Sequence, residues 1–444
     1  MSSQPADIRT SSTYRRVLPR EMLPAAGSTF EDWVGKRVAG VASTNAAELP
    51  FQRWHRFKEA FSPELIAEAV RASPHSVRRL ADPFGGSGTS ALAAQFLGIQ
   101  PTTVEVNPFL ADLIGAKIAT YNVPSLITAL ARVVRVARAS RNRFRALIEM
   151  LPATFVEPGV KARWLFDTEV AVEILRLRAA IEAEVDPSVV RLFRVLLGGL
   201  MVGFSNATVS GKGRRYRVNW QGRRFNPACV LTTFAKAAAA AIVEIDSYGA
   251  RAERKGTVLC GDSRVEFAKI DPVDLIVCSP PYPNSFDYTD VYNLELWMLG
   301  YLTSFEQNRA LRQSTLSSHV QVSRDFAPAP RSPTLDRIMR ALRRSADELW
   351  DSRLPAMVGA YFSDLQNLLG ACAQLLPAGA QAWFVVGDSQ YARVQIRVAR
   401  IMAELAPATG FMVTDTRPFR SMRVSPQQSG RPKLSEDLVV LTRC

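Results

Sequence analysis

The sequence predicts an α/β protein: a mostly parallel sheet ending in an antiparallel hairpin and interrupted by a large helical insertion. Three observations carry that expectation. Short apolar runs alternate with helical patterns between residues 76 and 119, beginning with SVRRLADPF and continuing through ALAAQFLG, TTVEV and FLADLIGAKIA. A glycine-rich turn, GGSGTS (85–90), joins the first run to its helix, which is the strand–loop–helix rhythm of parallel sheets. From about 124 to 247 the chain is rich in Ala, Leu, Val and Arg at helical spacing, and the strand rhythm resumes only afterwards.

Residues 1–50 contain Pro, Ser, Thr, Ala and Gly with little periodicity and read as a loosely ordered arm. Residues 51–123 form the first part of the sheet domain. FQRWHRFKEAFSPELIAEAV (51–70) is aromatic-rich, and Ser62 before Pro63 suits a helix cap followed by proline at the first helical position. Residues 124–256 make up the helical insertion. Residues 257–444 return to the sheet with TVLCG (257–261), DLIVCSP (274–280), AWFVVGDS (382–389), FMVTDT (411–416) and DLVVLT (437–442), around a further helical and loop-rich insertion at about 303–350. The last two runs suit an antiparallel hairpin.

Composition narrows the function. The 444 residues carry 55 Lys and Arg against 41 Asp and Glu, a net charge of +14. Such an excess favours a polyanionic partner, nucleic acid above all, with a scattered surface charge as the alternative. Cys229, Cys260, Cys278, Cys372 and Cys444 form no CxxC pair, and His55, His75 and His319 lie far apart, so neither a zinc site nor a disulfide framework is expected. The opening residues have no apolar core of the signal-peptide kind. The run VLLGGLMVGF (195–204) is well short of the roughly 20 residues a membrane span needs. A cytoplasmic protein with no membrane partner is the expectation.

Gly85, Gly86 and Gly88 sit between a strand and a helix, where glycine lets the backbone approach a ligand and the helix N-terminus offers free N–H groups. Gly-Lys-Ser/Thr is missing, so this is no P-loop. Gly86, Gly88 and Ala91 also match G-x-G-x-x-A, with Glu105 placed to bond ribose hydroxyls, so a nicotinamide dehydrogenase and a bland turn both stay open. Asp82 tilts the reading toward S-adenosylmethionine, because a carboxylate there attracts an ammonium group and repels a pyrophosphate. Gly261-Asp262 adds an acidic position at the same edge, suited to an adenine amino group, although a turn aspartate is the plainer reading.

DLIVC runs into Ser279-Pro280-Pro281-Tyr282. The prolines fix the backbone and remove two N–H donors, leaving an acceptor-rich corner of hydroxyl and carbonyl oxygens beside an aromatic face. That corner suits an aromatic amine whose N–H groups donate and whose ring stacks, a contact worth about 1–3 kcal/mol. Stacking of that size offsets much of the few kcal/mol needed to flip a base from a duplex.

DPFGGSGT (82–89) and SPPY (279–282) together resemble the DNA amino-methyltransferases, in which DPFxGxGT binds S-adenosylmethionine and (S/D/N)PP(Y/F) holds the target base. RWHRFKEAFSP (53–63) more loosely resembles the aromatic segment that covers the methionine moiety in that family. The resemblance implies a Rossmann-like class I methyltransferase sheet with S-adenosyl-L-methionine held by Phe61, Ser62, Pro63, Asp82, Pro83, Phe84, Gly85, Gly86, Gly88, Thr89, Glu105, Asn107, Asp262 and Ser263. It implies a catalytic corner of Ser279, Pro280, Pro281 and Tyr282, duplex DNA with its target base flipped as substrate, and no metal. It also admits a cognate restriction endonuclease as partner. Serine in the first position is typical of cytosine-N4 enzymes, with adenine-N6 enzymes close relatives. A guanine-N2 methyltransferase of RNA and a non-catalytic nucleic-acid-binding protein on the same fold are the alternatives. A cytosine-C5 enzyme is disfavoured, because no cysteine follows a proline; Cys278 reads as core. The largest insertion departs from the family pattern by lying between the second and third strands.

The insertion supplies the strongest candidate for DNA contact. Ser205–Pro227 contains Lys212, Arg214, Arg215, Arg217, Arg223 and Arg224, no acidic residue, and interleaved Tyr216, Trp220 and Phe225. A solvated loop is the alternative. Arg132, Arg135, Arg138, Arg141, Arg143 and Arg145 are a second candidate, the first three forming a helical stripe, with a solvated helix face as the alternative, and Arg420 and Arg423 near the last hairpin are a weaker option. After SPPY, Phe286, Tyr288 and Tyr292 are placed to wall a base pocket, whereas Leu294, Trp297, Met298 and Tyr301 recur at helical spacing and suit the core.

Overall fold

The computed structural model describes residues 29–35, 45–57, 60–209, 213–422 and 434–444. Lys212, Arg423 and most of the N-terminal arm lie outside these, as does the side chain of Tyr288. The strands of the main sheet are β1 (Arg79–Asp82), β2 (Gln100–Glu105), β3 (Thr257–Cys260), β4 (Leu275–Cys278), β5 (Gln381–Gly387), β6 (Phe411–Met422) and β7 (Leu434–Arg443). They lie in the order β3-β2-β1-β4-β5-β7-β6. β1 to β5 pair in parallel, while β7 runs antiparallel to both β5 and β6. This is a Rossmann-like, mostly parallel sheet with the antiparallel hairpin at its end.

Period-two alternation divides the sheet's side chains between two cores. Leu275 and Val277 of β4, Trp383 and Val385 of β5, and Leu438 and Val440 of β7 face one side. Ile276 and Cys278, Phe384 and Val386, and Val439 and Leu441 face the other. Both faces of β4 are buried, so its sequence reads as an unbroken apolar run.

On the first face lie α1 (Pro63–Ala72), α2 (Thr89–Phe96) and α3 (Pro108–Ile118). The insertion adds α4 (Val123–Ala139), α5 (Thr168–Glu182), α6 (Pro187–Gly198) and α7 (Ala228–Ser247). Their starts are written locally: Ser62, Asn107, Asn122 and Asp186 cap α1, α3, α4 and α6, each with proline in the first turn. The insertion shares one continuous hydrophobic cluster with this face of the sheet: Leu126, Leu175, Leu192 and Phe234 join Leu80 and Leu275. α7 is, by length and composition, apolar enough to cross a membrane, yet it buries Val230, Phe234, Ala238 and Ile245 in that cluster. On the second face pack α8 (Pro333–Arg344), α9 (Leu354–Leu375) and α10 (Val398–Leu405).

Two short hairpins lie outside the main sheet. Ala207–Val209 pairs with Arg214–Tyr216, and Ser389–Tyr391 pairs with Val394–Ile396. The second turns through Ala392 and Arg393, both at positive φ. The usual sequence signal for that turn is Asn-Gly or Asp-Gly, which is absent here.

The aromatic segment before α1 is fastened to the insertion. Glu244 of α7 is buried and accepts from the Phe51 backbone N–H (2.6 Å) and the Trp54 indole (2.9 Å), with Arg53 3.1 Å away. Trp33, in a short helix (Phe30–Val34) within the expected arm, stacks on Phe96 of α2 at 4.7 Å and donates to the Pro50 carbonyl. Leaving buried donors unpaired is costly. Glu244→Ala is therefore expected to lower stability by about 3 kcal/mol, read as a lower urea midpoint, with Glu244→Gln losing less. An unchanged midpoint in Glu244→Ala would refute the anchoring role.

Candidate active site

β1 and β4 are neighbours in the sheet, with Leu80 opposite Leu275 and Ala81 opposite Ile276. Strands so paired lie about 4.8 Å apart, so the residues that follow them leave the sheet side by side. The order reverses at this point, β2 lying on one side of β1 and β4 on the other, which opens a crevice at the carboxyl ends. A cleft of about 250 Å³ occupies it. Asp82–Ser87 and Thr89 line one part, Ser279–Tyr282 another, and Phe57, Phe61, Glu105, Asn107, Gly261 and Ser263 complete those walls.

The glycine loop is shaped by two residues at positive φ, Gly86 (+53°) and Gly88 (+81°). A Cβ on Gly88 would press on Ile114 of α3, and one on Gly86 would press on Phe57. Gly88 thus serves the loop's shape and does not line the cleft. Beneath the loop, the buried Lys117 ammonium donates to the Ser87 carbonyl (2.6 Å) and the Gln52 side chain (2.9 Å). Burial pulls that lysine down to about 7.

Two carboxylates stand on the same rim. Asp82 accepts from Ser90 (2.5 Å) and the Phe84 N–H (2.8 Å). Burial nevertheless pushes it up to about 6. Glu105 accepts from the Gly86 N–H and the Asn107 N–H, both at 2.8 Å, and burial pushes it up to about 7. Both acids are buried without a balancing cation at hydrogen-bond distance among the described residues, so the cleft suits a cationic or polyhydroxylated guest.

At the other strand end, the Ser279 hydroxyl lies 3.2 Å from that of Tyr282. The Tyr282 hydroxyl donates to Glu436 of β7, a carboxylate 1% exposed. Arg420 of β6 also pairs with Glu436, through Nη2 at 3.0 Å, and lines the cleft. The antiparallel hairpin thereby reaches back to the SPPY corner.

Not every expected residue meets the cleft. Ser62 and Pro63 begin α1 and lie buried behind Phe61. Asp262 is absent from the lining although both its neighbours are present. Its carboxylate caps the following turn and holds Arg264 (2.6 Å), which bridges to Asp364 of α9. Of the aromatics after SPPY, Tyr292 lines the cleft and stacks on Phe57 at 6.0 Å, whereas Phe286 is buried elsewhere. Leu294, Trp297 and Met298 are core, and Tyr301 donates to Asp112. Sequence reading missed Phe57, Thr289, Thr315, His319 and Glu436, and it had Arg420 only as a weaker nucleic-acid contact. Phe57 sat inside the aromatic segment already singled out; the others carry no local signal. His319 is buried, and burial pulls it down to about 4, so its imidazole is neutral.

The basic segment of the insertion divides in the same way. Arg217 donates to the carbonyls of Ser205 (3.2 Å) and Val202 (2.8 Å), tying the hairpin to its own base. Arg224 bonds Asp167 and Glu157, and Arg223 lies over Phe225. Tyr216, Trp220 and Trp164 pack on one another, so these aromatics form a small local core. Arg215 is exposed, and Arg214 comes within 3.9 Å of Asp290, beside the cleft-lining Thr289. On the helical stripe, Arg132 pairs with Glu184 while Arg135 and Arg138 are exposed.

No family model matches the sequence. The type II methyltransferase M.AvaI, from a Nostoc species and from Anabaena variabilis, is in each case 27% identical over 408 residues, which are 82% of this chain and 80% of the relative. The type II methyltransferase M.BsoBI of Geobacillus stearothermophilus is 22% identical over 398 residues, 81% of this chain and 78% of its own. Among solved structures, the rRNA methyltransferase aviRa from Streptomyces viridochromogenes aligns with 94% of this chain and 96% of its own at 12% identity and a TM-score of 0.31. TrmN from Thermus thermophilus aligns with 91% of this chain and 51% of its own at 10% identity and a TM-score of 0.28. Scores so low carry no functional weight. The similarity to the type II methyltransferases runs along most of this chain and most of each relative.

Proposed function

We propose that the cleft binds S-adenosyl-L-methionine and that the enzyme methylates the N4 amine of a cytosine flipped from duplex DNA. One observation carries the reading: the glycine loop after β1 and the SPPY corner after β4 line the same cleft. When bound, the cofactor supplies an electrophilic methyl group on a sulfonium. The residues fit it. Asp82, a buried carboxylate with no cation beside it among the described residues, would take the methionine ammonium. Glu105 keeps lone pairs free for ribose hydroxyls after accepting its two backbone N–H groups. Phe57 and Phe61 would cover the methionine part, and Gly261 and Ser263 would border the adenine. At the corner, Ser279 and the Pro280 carbonyl would accept from the amine, with Tyr282 and Tyr292 as aromatic walls. Catalysis is then chiefly the positioning of a nitrogen lone pair against a methyl carbon. The serine-first corner favours cytosine N4 over adenine N6.

Incubation with tritiated cofactor and duplex DNA, followed by nucleoside analysis, tests this directly. N4-methylcytosine is expected. N6-methyladenine would correct the base, and label in tRNA with none in duplex DNA would overturn the reading.

A pH dependence follows from the buried acids. A cationic ammonium favours ionised Asp82, whose pKa without ligand is about 6. Hydroxyl donors likewise favour ionised Glu105, at about 7. Both are charged at pH 8, and protonation on acidification opposes binding. Cofactor affinity measured by calorimetry should be flat near pH 8, decline from about pH 7 and fall more steeply below pH 6. Asp82→Asn should weaken binding at pH 8 by roughly tenfold or more, the value of a charged hydrogen bond, and lose the steeper part. A wild-type affinity constant from pH 8 to pH 5 would contradict these roles.

For DNA, the exposed Arg215 and the cleft-side Arg214 are the proposed phosphate contacts, while Arg217 and Arg224 are assigned to holding the hairpin. Each lost contact should reduce the salt slope of binding by about 0.9. Arg214→Ala with Arg215→Ala should therefore flatten the slope by nearly 2 units. An unchanged slope would clear the hairpin of that role.

A further inference from the structure

We infer that Glu436 is a positioning residue that acts on the methyl-accepting amine through Tyr282 and Ser279. The inference rests on the reading above and adds the direction of each hydrogen bond. Glu436 is held by Arg420, and its carboxylate can only accept. The Tyr282 hydroxyl has one hydrogen, and that hydrogen points to Glu436. At the 3.2 Å contact between Tyr282 and Ser279 the tyrosine oxygen must therefore accept, and Ser279 must donate. Ser279 has then spent its only hydrogen and presents lone pairs alone to the cleft. A hydroxyl free to rotate can also turn its hydrogen toward the amine; this one is fixed as an acceptor, and the carboxylate behind it polarises it.

The same wire gives a proton an exit. As the amine nitrogen bonds the methyl carbon and the methyl–sulfur bond breaks, the nitrogen becomes positive and must lose one N–H proton. That proton passes to the Ser279 oxygen, the Ser279 proton to the Tyr282 oxygen, and the Tyr282 proton to Glu436. The carboxylate ends as a neutral acid, the secondary amine is neutral, and no outside reactant is needed. An ammonium on an aromatic base is strongly acidic, so it gives up its proton readily.

Tyr282→Phe keeps the ring and cuts the wire; Glu436→Gln keeps the shape and removes the charge. Each is expected to lower the single-turnover methylation rate by about 30-fold, with the double variant no slower than either, because the two act as one unit. Binding of DNA and of S-adenosylhomocysteine should stay within about twofold of wild type. In the ligand-free protein, the ¹⁹F resonance of 3-fluorotyrosine placed at 282 should shift when Glu436 is replaced by Gln, a readout independent of turnover. Rates within twofold of wild type, multiplicative losses, or an unmoved resonance would each overturn the wire while leaving DNA methylation by the wild-type enzyme intact. A wild-type enzyme that transfers no methyl group to DNA would remove the reading beneath it as well.

Discussion

The pairing of β1 with β4 is the constraint on which the rest depends. Leu80 against Leu275 and Ala81 against Ile276 are ordinary ladder contacts between apolar strands. They place Asp82 and Ser279, far apart in the chain, at the lip of one crevice. Everything chemical in the site is hung on strand ends whose separation is fixed by backbone hydrogen bonds. The long insertion between β2 and β3 does not disturb this, because both its ends belong to the other flank of β1. The entropy of closing so long a connection grows only slowly with length. Its helices recover that cost by sharing the core of the sheet.

The cleft is built at an electrostatic disadvantage. Asp82 and Glu105 are both buried, both are held by backbone N–H donors, and among the described residues neither has a cation at hydrogen-bond distance. Lys117 would be an obvious neutraliser, but it lies below the loop and donates to Ser87 and Gln52. Its place makes it a fastening for the loop's backbone, linked through Gln52 to Thr89 and to the segment that Glu244 anchors. An acidic cleft on a protein of net charge +14 would, under the proposed function, separate two tasks. The basic excess would attract the polyanion, while the interior would take the cofactor's cationic part.

How much of this was legible in the sequence depended on whether the signal was local. The strands and the hairpin were, because β4 is buried on both faces and β5 and β7 are apolar enough to read as strands. Caps such as Asn107-Pro108 and Asp186-Pro187 mark helix starts by their own chemistry. The glycine loop and SPPY were legible for the same reason. What could not be read was tertiary. Arg217 and Arg224 look like phosphate ligands in a sequence without nearby acids, and only the fold brings Val202, Ser205, Asp167 and Glu157 to them. Asp262 looked free at a strand end, yet Arg264 two residues on takes its carboxylate. Glu436 is an unremarked acid in a strand until the hairpin folds it against Tyr282.

That last contact bears on why the corner can begin with serine. The family pattern admits aspartate, asparagine or serine at the first position, and the three differ as acceptors. A carboxylate or an amide oxygen accepts without conditions, but a hydroxyl can also donate, and its basicity is low. In a corner stripped of N–H donors by Pro280 and Pro281, a serine free to donate could oppose the amine's own donors. Here the carboxylate enters from the hairpin instead, one tyrosine away, and fixes the hydroxyl in the accepting sense. Ser279, Tyr282 and Glu436 together thus do what an acidic first residue would do alone.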